Sequence, residues 1–404
     1  MKLKLLMVVL SLSILSIQCD SGAQIQQVER ENLFSMQIGK LEDQIALFSF
    51  EGNRGIRQAN IAMRDGLFYI SDGNGGKILK CNSYGDILFM IYNDETNPPP
   101  MTLRPLSEGS LVTRWAVTYP LMEPGEIAVD SRKHIYVRDS LPYERHSFDA
   151  ESRALLSNII LHFDEEGRFV KYLGREGIGG SPFPRIEGLY TSVHDELAVI
   201  CRTPSGWDAY WFNPDGIFLF VVQLKSDELP IPYDRDDVLP SLDVIAVGPD
   251  SRTLFVKIDY YRNTYDESTN LRTGIDADGS VIWIMNAENG VWERYIDVPF
   301  FEYTYTEQNR RITTRFIYSL LGIIENEHIF LSFPVEGGYS ILIISSDSGT
   351  HVDQHQGFIQ VEDEELQYNT FYLSGEGILS GLLVDEWQVK LVWWRTDKLL
   401  GDVS

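Results

Sequence analysis

An all-β chain folded as a β-propeller, a ring of repeated four-stranded sheets, is the fold class that three features of this sequence predict. The first is internal repetition. Six times an apolar run, a tight polar turn and a second apolar run are followed by two more runs around a Gly, Asp or Asn turn. The second is the make-up of those runs: short, β-branched and aromatic, bounded by Gly, Asp, Asn and Pro, as strands are. The third is that no stretch beyond residue 20 carries sustained helical periodicity with caps. One four-stranded unit cannot bury both of its faces alone, so the repeats must stack, and radial stacking keeps strand edges short and protected.

The units follow in order. The first runs through residues 61–63, the turn Arg64-Asp65-Gly66, residues 67–72 and 77–80, the turn Ser83-Tyr84-Gly85-Asp86, and residues 87–91. The second comprises 127–130, 134–139, 159–163 and 169–173, and the third 189–191, 197–200, 209–212 and 217–221. The fourth comprises 244–247, 253–256, 280–284 and 291–296, and the fifth 320–324, 328–331 and 339–344 around the turn Ser346-Asp347-Ser348-Gly349. The sixth, with 371–373, 378–384 and 390–394, runs out one strand short. Residues 44–50 form an orphan apolar run that can supply the missing outer strand. The expectation is therefore a six-bladed β-propeller, with seven blades as the alternative, closed by an N-terminal strand in the last blade.

Within the repeats, Ile127-Ala128-Val129-Asp130 followed by Ile135-Tyr136-Val137-Arg138-Asp139, and the Gly-rich hop 174–180 leading to Ser181-Pro182-Phe183-Pro184, resemble NHL repeats. Units one and two match well, unit three moderately, and units four to six only in pattern. That resemblance implies a propeller used mostly to bind proteins, RNA or small ligands, and only in a minority of cases an enzyme. It implies a fold more firmly than a function.

The N-terminus carries a compartment signal. Lys2 and Lys4 precede an apolar run over residues 5–17 that is too short to span a membrane, and Ser16-Ile17-Gln18-Cys19 follows. This resembles a spirochaete-type lipoprotein signal and implies lipid attachment at Cys19, with the protein anchored to a bacterial membrane and facing the periplasm or the cell surface. Residues 1–18 are then the signal peptide, residues 19–37 a flexible tether and residues 38–404 the propeller domain. A formal net charge of −25 repels phosphate backbones, which argues against a nucleic-acid partner. Cys81 and Cys201 fall in units one and three, too far apart in a ring for a bridge, and are expected as buried free thiols.

Strands of a blade alternate in direction, so the connections within the first and last strand pairs lie at one end. The middle connection and the blade-to-blade connection lie at the other. The long excursions 93–124, 140–158, 226–241, 259–279 and 297–317 all belong to the second kind. Long loops on a rigid scaffold are where function concentrates. Two of them combine aromatic residues with arginine: Tyr260, Tyr261 and Tyr265 in one; Phe300, Phe301, Tyr303, Tyr305, Arg310 and Arg311 in the other. Tyr and Arg dominate binding hot spots, so these residues are the candidate surface for an extracytoplasmic protein partner, with a small-molecule or sugar ligand as a further candidate.

No His-Glu-x-x-His, Gly-x-Ser-x-Gly, phosphate-binding Gly loop or Cys-x-x-Cys is present, and His351 and His355, four apart, lack a spaced third ligand. The enzymatic alternative uses the channel. Glu126, Glu187 and Asp243 occupy the start of the innermost strand in three consecutive units, where carboxylates could hold a calcium ion that polarises an ester or lactone carbonyl. The reading is thus a non-catalytic, cofactor-free binding module, with a calcium-dependent lactonase- or esterase-like hydrolase and a carbohydrate-binding protein as alternatives.

Overall fold

The computed structural model describes residues 25–47, 59–106, 113–249, 252–266, 268–307, 310–347 and 351–401. The expected signal, Cys19 and residues 48–50 lie outside the described residues. Among the described residues the chain is all-β, with only short 3-10 turns as helical elements. It is a β-propeller, and its larger sheets succeed one another along the chain.

Sheet one orders Ala59–Arg64, Leu67–Asp72, Lys77–Cys81 and Ile87–Tyr92 from inside to outside, with Trp115–Thr118 and Arg104–Pro105 added at its edge. Sheet two orders Ile127–Val129, Ile135–Ser140, Asn158–Phe163 and Phe169–Gly174. Sheet three orders Arg185–Thr191, Leu197–Thr203, Gly206–Phe212 and Phe218–Lys225. Sheet four orders Leu239–Val247, Thr253–Tyr265, Arg272–Asn286 and Val291–Val298. Sheet five orders Ser319–Ile324, His328–Val335, Gly338–Asp347 and His351–Gln360, and sheet six Tyr368–Leu373, Leu379–Val384, Gln388–Trp394 and Arg30–Ile38.

Local chemistry explains the repetition. In the outer hairpins of sheets one to three, the side-chain oxygens of Asn82, Asp164 and Asn213 each accept two backbone N–H bonds, two and four residues on. Gly85, Gly167 and Gly216 then take the left-handed conformation at the same place in each turn. The inner hairpin of sheet one turns through Asp65 and Gly66, both at positive φ, as a two-residue hairpin turn matched to strand twist requires.

Packing between sheets follows from burial on both faces. Ile78 and Phe89 of sheet one meet Ile135 and Leu161 of sheet two, and Tyr136 and Ile160 meet Val199 and Phe212 of sheet three. Trp211 meets Val256 of sheet four, Phe255 meets Leu342 of sheet five, and Ile343 meets Leu383 of sheet six. Leu382 and Leu391 of sheet six return to Ile61 and Phe68 of sheet one. Cys81 and Cys201 are buried free thiols within these layers.

The acids that end the second strands of sheets one and two hold the chain entering each sheet. Asp139 accepts the backbone N–H groups of Met122 (3.0 Å) and Glu123 (2.7 Å), and burial pushes its carboxyl up to about 6. Asp72 accepts those of Ala46 (2.8 Å) and Gly75 (2.9 Å), beside the fully buried Lys77, whose Nζ donates to the Leu41 carbonyl at 2.7 Å. In sheet two, His134 Nδ1 and His162 Nε2 share a hydrogen bond of 2.9 Å, and Tyr136 stacks on the buried His162 ring at 4.4 Å.

Two sequence expectations need correction. The tether expected over residues 19–37 carries strand from Gln26: Gln26–Val28 pairs in parallel with His351–Gln360 of sheet five. The strand that pairs with Gln388–Trp394 in sheet six is Arg30–Ile38, antiparallel to it; of the described part of the run expected there, Gln44–Ile45 joins the same sheet one place further out, parallel to Arg30–Ile38. A strand on the outer side of a sheet has little core to face, so it reads as polar; of Arg30–Ile38 only Met36 is buried. The apolar Ile45, Ala46 and Leu47 are buried, Ile45 at the end of that short edge strand and the next two where the chain goes on toward sheet one.

Asp72→Ala should lower the unfolding free energy in urea by about 3–5 kcal/mol, because it leaves the Lys77 ammonium buried without its partner. Adding Lys77→Met should recover much of that loss; an equal or larger loss in the double variant would show that the pair is not the cause. A second expectation concerns pH. Burial, then the charges of His134, Lys171 and Arg132, push His162 from 6.5 down to about 3. The folded state keeps it neutral while the unfolded chain takes up a proton, so this contribution is complete above pH 6.5 and is lost as pH falls toward 3. The slope is about 1.4 kcal/mol per pH unit, so between pH 7 and 5 His162→Phe should lose less stability than the parent, as read by thermal denaturation.

Candidate functional site

The innermost strands of all the larger sheets line one axial cavity of about 480 Å³, which Asn60, Glu126, Tyr190, Val247, Leu321 and Tyr372 reach from successive sheets. A second cavity of about 550 Å³ shares Asn60 and Glu126 with it and opens between Glu123, Arg138, Asn158, Arg185 and Glu187. These residues sit at the starts of first strands and at a middle connection, so this mouth belongs to the end that carries the long connections.

A β-bulge recurs at the start of the first strand. Pairing skips Glu187 in sheet three, Asp243 in sheet four and Leu321 in sheet five. In sheet two, Arg138 bonds the backbone of both Gly125 and Glu126, which gives the same two-against-one arrangement. Bulges re-aim side chains; Glu126 and Glu187 line the second cavity, and Asp243 holds the corresponding bulge position in sheet four.

Each of these acids is met by a cation of its own sheet. Arg138 Nε donates to Glu126 at 2.7 Å and Arg138 Nη1 to the Glu123 carbonyl at 2.8 Å. Lys257, buried, bridges Asp243 (2.8 Å) and Asp259 (2.7 Å), and Ser280 also donates to Asp259. Arg185 Nε lies 2.9 Å from Glu187 Oε1, but off the hydrogen-bond line, so that oxygen is buried without a hydrogen-bond partner. Burial raises the Glu187 carboxyl above the usual carboxylate range; Arg185 and Arg202 oppose this, and Glu126 adds to it.

At the calcium site expected from Glu126, Glu187 and Asp243, each acid thus lies beside a cation of its own sheet. Among the described residues, no group of three His, Cys, Asp or Glu side chains could hold a metal ion. The signal that could have foretold it was the basic residue on the neighbouring strand in sheets two and four, Arg138 and Lys257.

The aromatic excursions are ordered ribbons rather than irregular loops. Thr253–Tyr265 and Arg272–Asn286 run on past their sheet as a hairpin, and Phe301–Glu307 pairs with Arg310–Phe316 as a separate two-stranded ribbon. The alternation in Phe301-Glu302-Tyr303-Thr304-Tyr305-Thr306 was the available sign.

The candidate binding residues divide. Tyr260 is fully buried: its hydroxyl donates to the Pro230 carbonyl at 2.7 Å and accepts from Trp283 Nε1 at 2.8 Å, which makes it a core residue and corrects its expected role. Tyr261 is half-buried. Phe300 is half-buried under the Arg315 guanidinium, and Phe301 stacks on Phe333 at 4.5 Å; both belong to the ribbon's footing. Tyr265, Tyr303 and Tyr305 are exposed, as are Arg310 and Arg311.

Sequence reasoning passed over Tyr143, Tyr233 and Trp387, whose rings are 83%, 90% and 78% exposed in connections at this same end. The opposite end is not bare, since Tyr84 is exposed there.

No family model and no curated protein sequence matches the chain. Among solved structures, it is similar to a member of the duf4221 family from Bacteroides vulgatus, at 10% identity over 92% of this chain and 99% of that one, with a TM-score of 0.41. It is also similar to a putative 6-phosphogluconolactonase from Bacteroides fragilis, at 9% identity over 87% and 91%, with a TM-score of 0.33. An acylaminoacyl peptidase from Pyrococcus horikoshii matches at 12% identity over 64% of this chain with a TM-score of 0.31, and the chain spans 35% of that protein's length.

Because the channel acids already have cations, the melting temperature should be the same in excess Ca²⁺ and in excess chelator. Lys257→Met should destabilise the protein by about 3–5 kcal/mol by leaving Asp243 and Asp259 without their shared cation, and that variant alone should be stabilised by Ca²⁺. A calcium-dependent rise in the parent protein would restore the hydrolase alternative.

Proposed function

We propose that the chain is a membrane-anchored, extracytoplasmic, six-bladed propeller that binds a protein partner, without catalysis, through the end bearing its long connections. The observation that carries this reading is the exposed ribbon Phe301–Glu307 and Arg310–Phe316, which presents Tyr303, Tyr305, Arg310 and Arg311 to solvent at that end. Tyr143, Tyr233 and Trp387 extend the same character across it. Rigid aromatic side chains give large contact area at small entropic cost, and arginines add hydrogen-bond donors and charge.

The blade count is supported by the cyclic packing of the larger sheets, in which the last returns to the first. Anchoring is supported by the basic start, apolar run and Cys19 of the N-terminal sequence. The net charge of −25 disfavours nucleic acid as the partner. The pairing of Glu126, Asp243 and Glu187 with Arg138, Lys257 and Arg185 disfavours the hydrolase alternative.

In-cell crosslinking of the full-length protein followed by mass spectrometry should recover a specific protein. Arg310→Ala with Arg311→Ala should reduce its capture about tenfold or more while leaving the melting temperature unchanged. Unfolding of the double variant would make these arginines structural. Recovery of no protein, with retention on an oligosaccharide matrix that Tyr303→Ser and Tyr305→Ser abolish, would replace the reading with carbohydrate binding.

A further inference from the structure

The ribbon formed by Phe301–Glu307 and Arg310–Phe316 has two unlike faces. Register places Phe301 opposite Phe316, Tyr303 opposite Thr314, Tyr305 opposite Ile312 and Glu307 opposite Arg310 on one face. Glu302 opposite Arg315, Thr304 opposite Thr313 and Thr306 opposite Arg311 make the other. Short of the Glu307 and Arg310 pair at its tip, the first face is mainly aromatic and apolar, with the Tyr303 and Tyr305 rings stacked 6.0 Å apart, and the other is polar and charged.

The ribbon is seated on the propeller. Phe301 and Phe316 both pack on Phe333 of sheet five, at 4.5 and 5.1 Å. Beyond that footing it stands alone: among the described residues it is a two-stranded sheet, with no strand on either outer edge. An isolated pair of strands is marginal in water, and an open edge presents a row of unpaired N–H and C=O groups to a further strand.

The two edges differ in charge. The edge of Phe301–Glu307 carries Glu302 and Glu307, whereas the edge of Arg310–Phe316 carries Arg310, Arg311 and Arg315. Arg315 is paired with Glu302 at 3.1 Å, but Arg310 and Arg311 have no ion-pair partner among the described residues. On a chain of net charge −25, two free cations on one open strand are a local reversal of the field.

We infer that the outer edge of Arg310–Phe316 takes an extended protein segment as a third strand, one whose side chains alternate between apolar and acidic. Alternation follows from the two faces of that edge. A strand laid along it puts one set of side chains beside Ile312, Thr314 and Phe316, and the other set beside Arg311, Thr313 and Arg315. Acidity selects this edge, since the same segment is repelled by Glu302 and Glu307 on the other and by the net charge of the molecule. This inference rests on the partner-binding reading and gives the partner a sequence pattern.

The test uses a dye-labelled seven-residue peptide of alternating valine and aspartate, titrated with the full-length protein by fluorescence anisotropy. It should bind at least about tenfold tighter than a peptide of the same composition with its valines and aspartates in two blocks. It should also bind tighter than the alternating peptide methylated on every second backbone amide, which cannot complete a ladder. Arg311→Glu, on an exposed side chain, should weaken the valine–aspartate peptide about tenfold, favour a valine–lysine peptide in its place, and leave the melting temperature unchanged. Equal binding of the block peptide, equal binding of the methylated peptide, or indifference to Arg311→Glu would each overturn the inference. A cellular partner whose capture survives both Arg311→Glu and excess peptide would overturn it while leaving the partner-binding reading intact. Peptide binding as expected with no partner recovered would support the edge and count against that reading alone.

Discussion

Closure of the ring by the N-terminal segment is the contact on which the rest of the structure depends. A sheet with apolar residues on both faces is stable only when both are covered, and a linear stack of such sheets would leave two faces in water. Here Leu382 and Leu391 of sheet six reach Ile61 and Phe68 of sheet one, and a single segment holds that seam. It adds Gln26–Val28 to sheet five, completes sheet six with Arg30–Ile38, and crosses to sheet one, where Asp72 and Lys77 take its backbone at Ala46 and Leu41. At the seam, Glu365 is buried and accepts from Arg30 at 2.6 Å and Lys390 at 2.8 Å. Burial works against its charge, but those two cations hold its carboxyl below the usual range. The closing strand is thus joined to its sheet by a ladder and by an ion pair between the two ends of the chain.

With the ring closed, the innermost strands converge, and a bulge recurs in the first strands of sheets two to five. Whether such a channel does chemistry depends on whether its charges are free. In this molecule the bulged acids lie beside Arg138, Arg185 and Lys257, so the channel mouth is polar with each of these acids close to a cation. Arg310 and Arg311, without an ion-pair partner among the described residues, lie elsewhere, on the ribbon that leaves sheet four and returns to sheet five. The scaffold and the candidate binding surface are consequently separable: the acid–cation pairs lie within the sheets, and the ribbon stands outside them.

Much of the scaffold was legible in the sequence because strands and their turns are local. Asn82, Asp164 and Asn213 with their following glycines announce the outer hairpins, and the alternation of short and long connections places every excursion at one end. The closing strand was misread for a physical reason. Arg30–Ile38 lies on the outer side of its sheet and is mostly wet, so it lacks the apolar pattern of a strand, whereas the apolar run Ile45, Ala46 and Leu47 gives only the short edge strand Gln44–Ile45 before the chain crosses to sheet one. The candidate site was half legible. Tyr303, Tyr305, Arg310 and Arg311 lie on the exposed ribbon as their composition suggested, but Tyr260, in an equally aromatic run, turned inward to Pro230 and Trp283.

The sequence by itself determined that this chain is built from repeated strand units, that its long connections share one end, and that its surface is strongly acidic. These follow from local pattern and from composition, which do not change on folding. Only the tertiary structure decided which segment closes the ring, which aromatic residues face solvent, and whether Glu126, Glu187 and Asp243 are free to bind a cation. Those outcomes depend on contacts between residues far apart in the chain, such as Arg30 with Glu365, and no local pattern encodes which distant partner a side chain will meet.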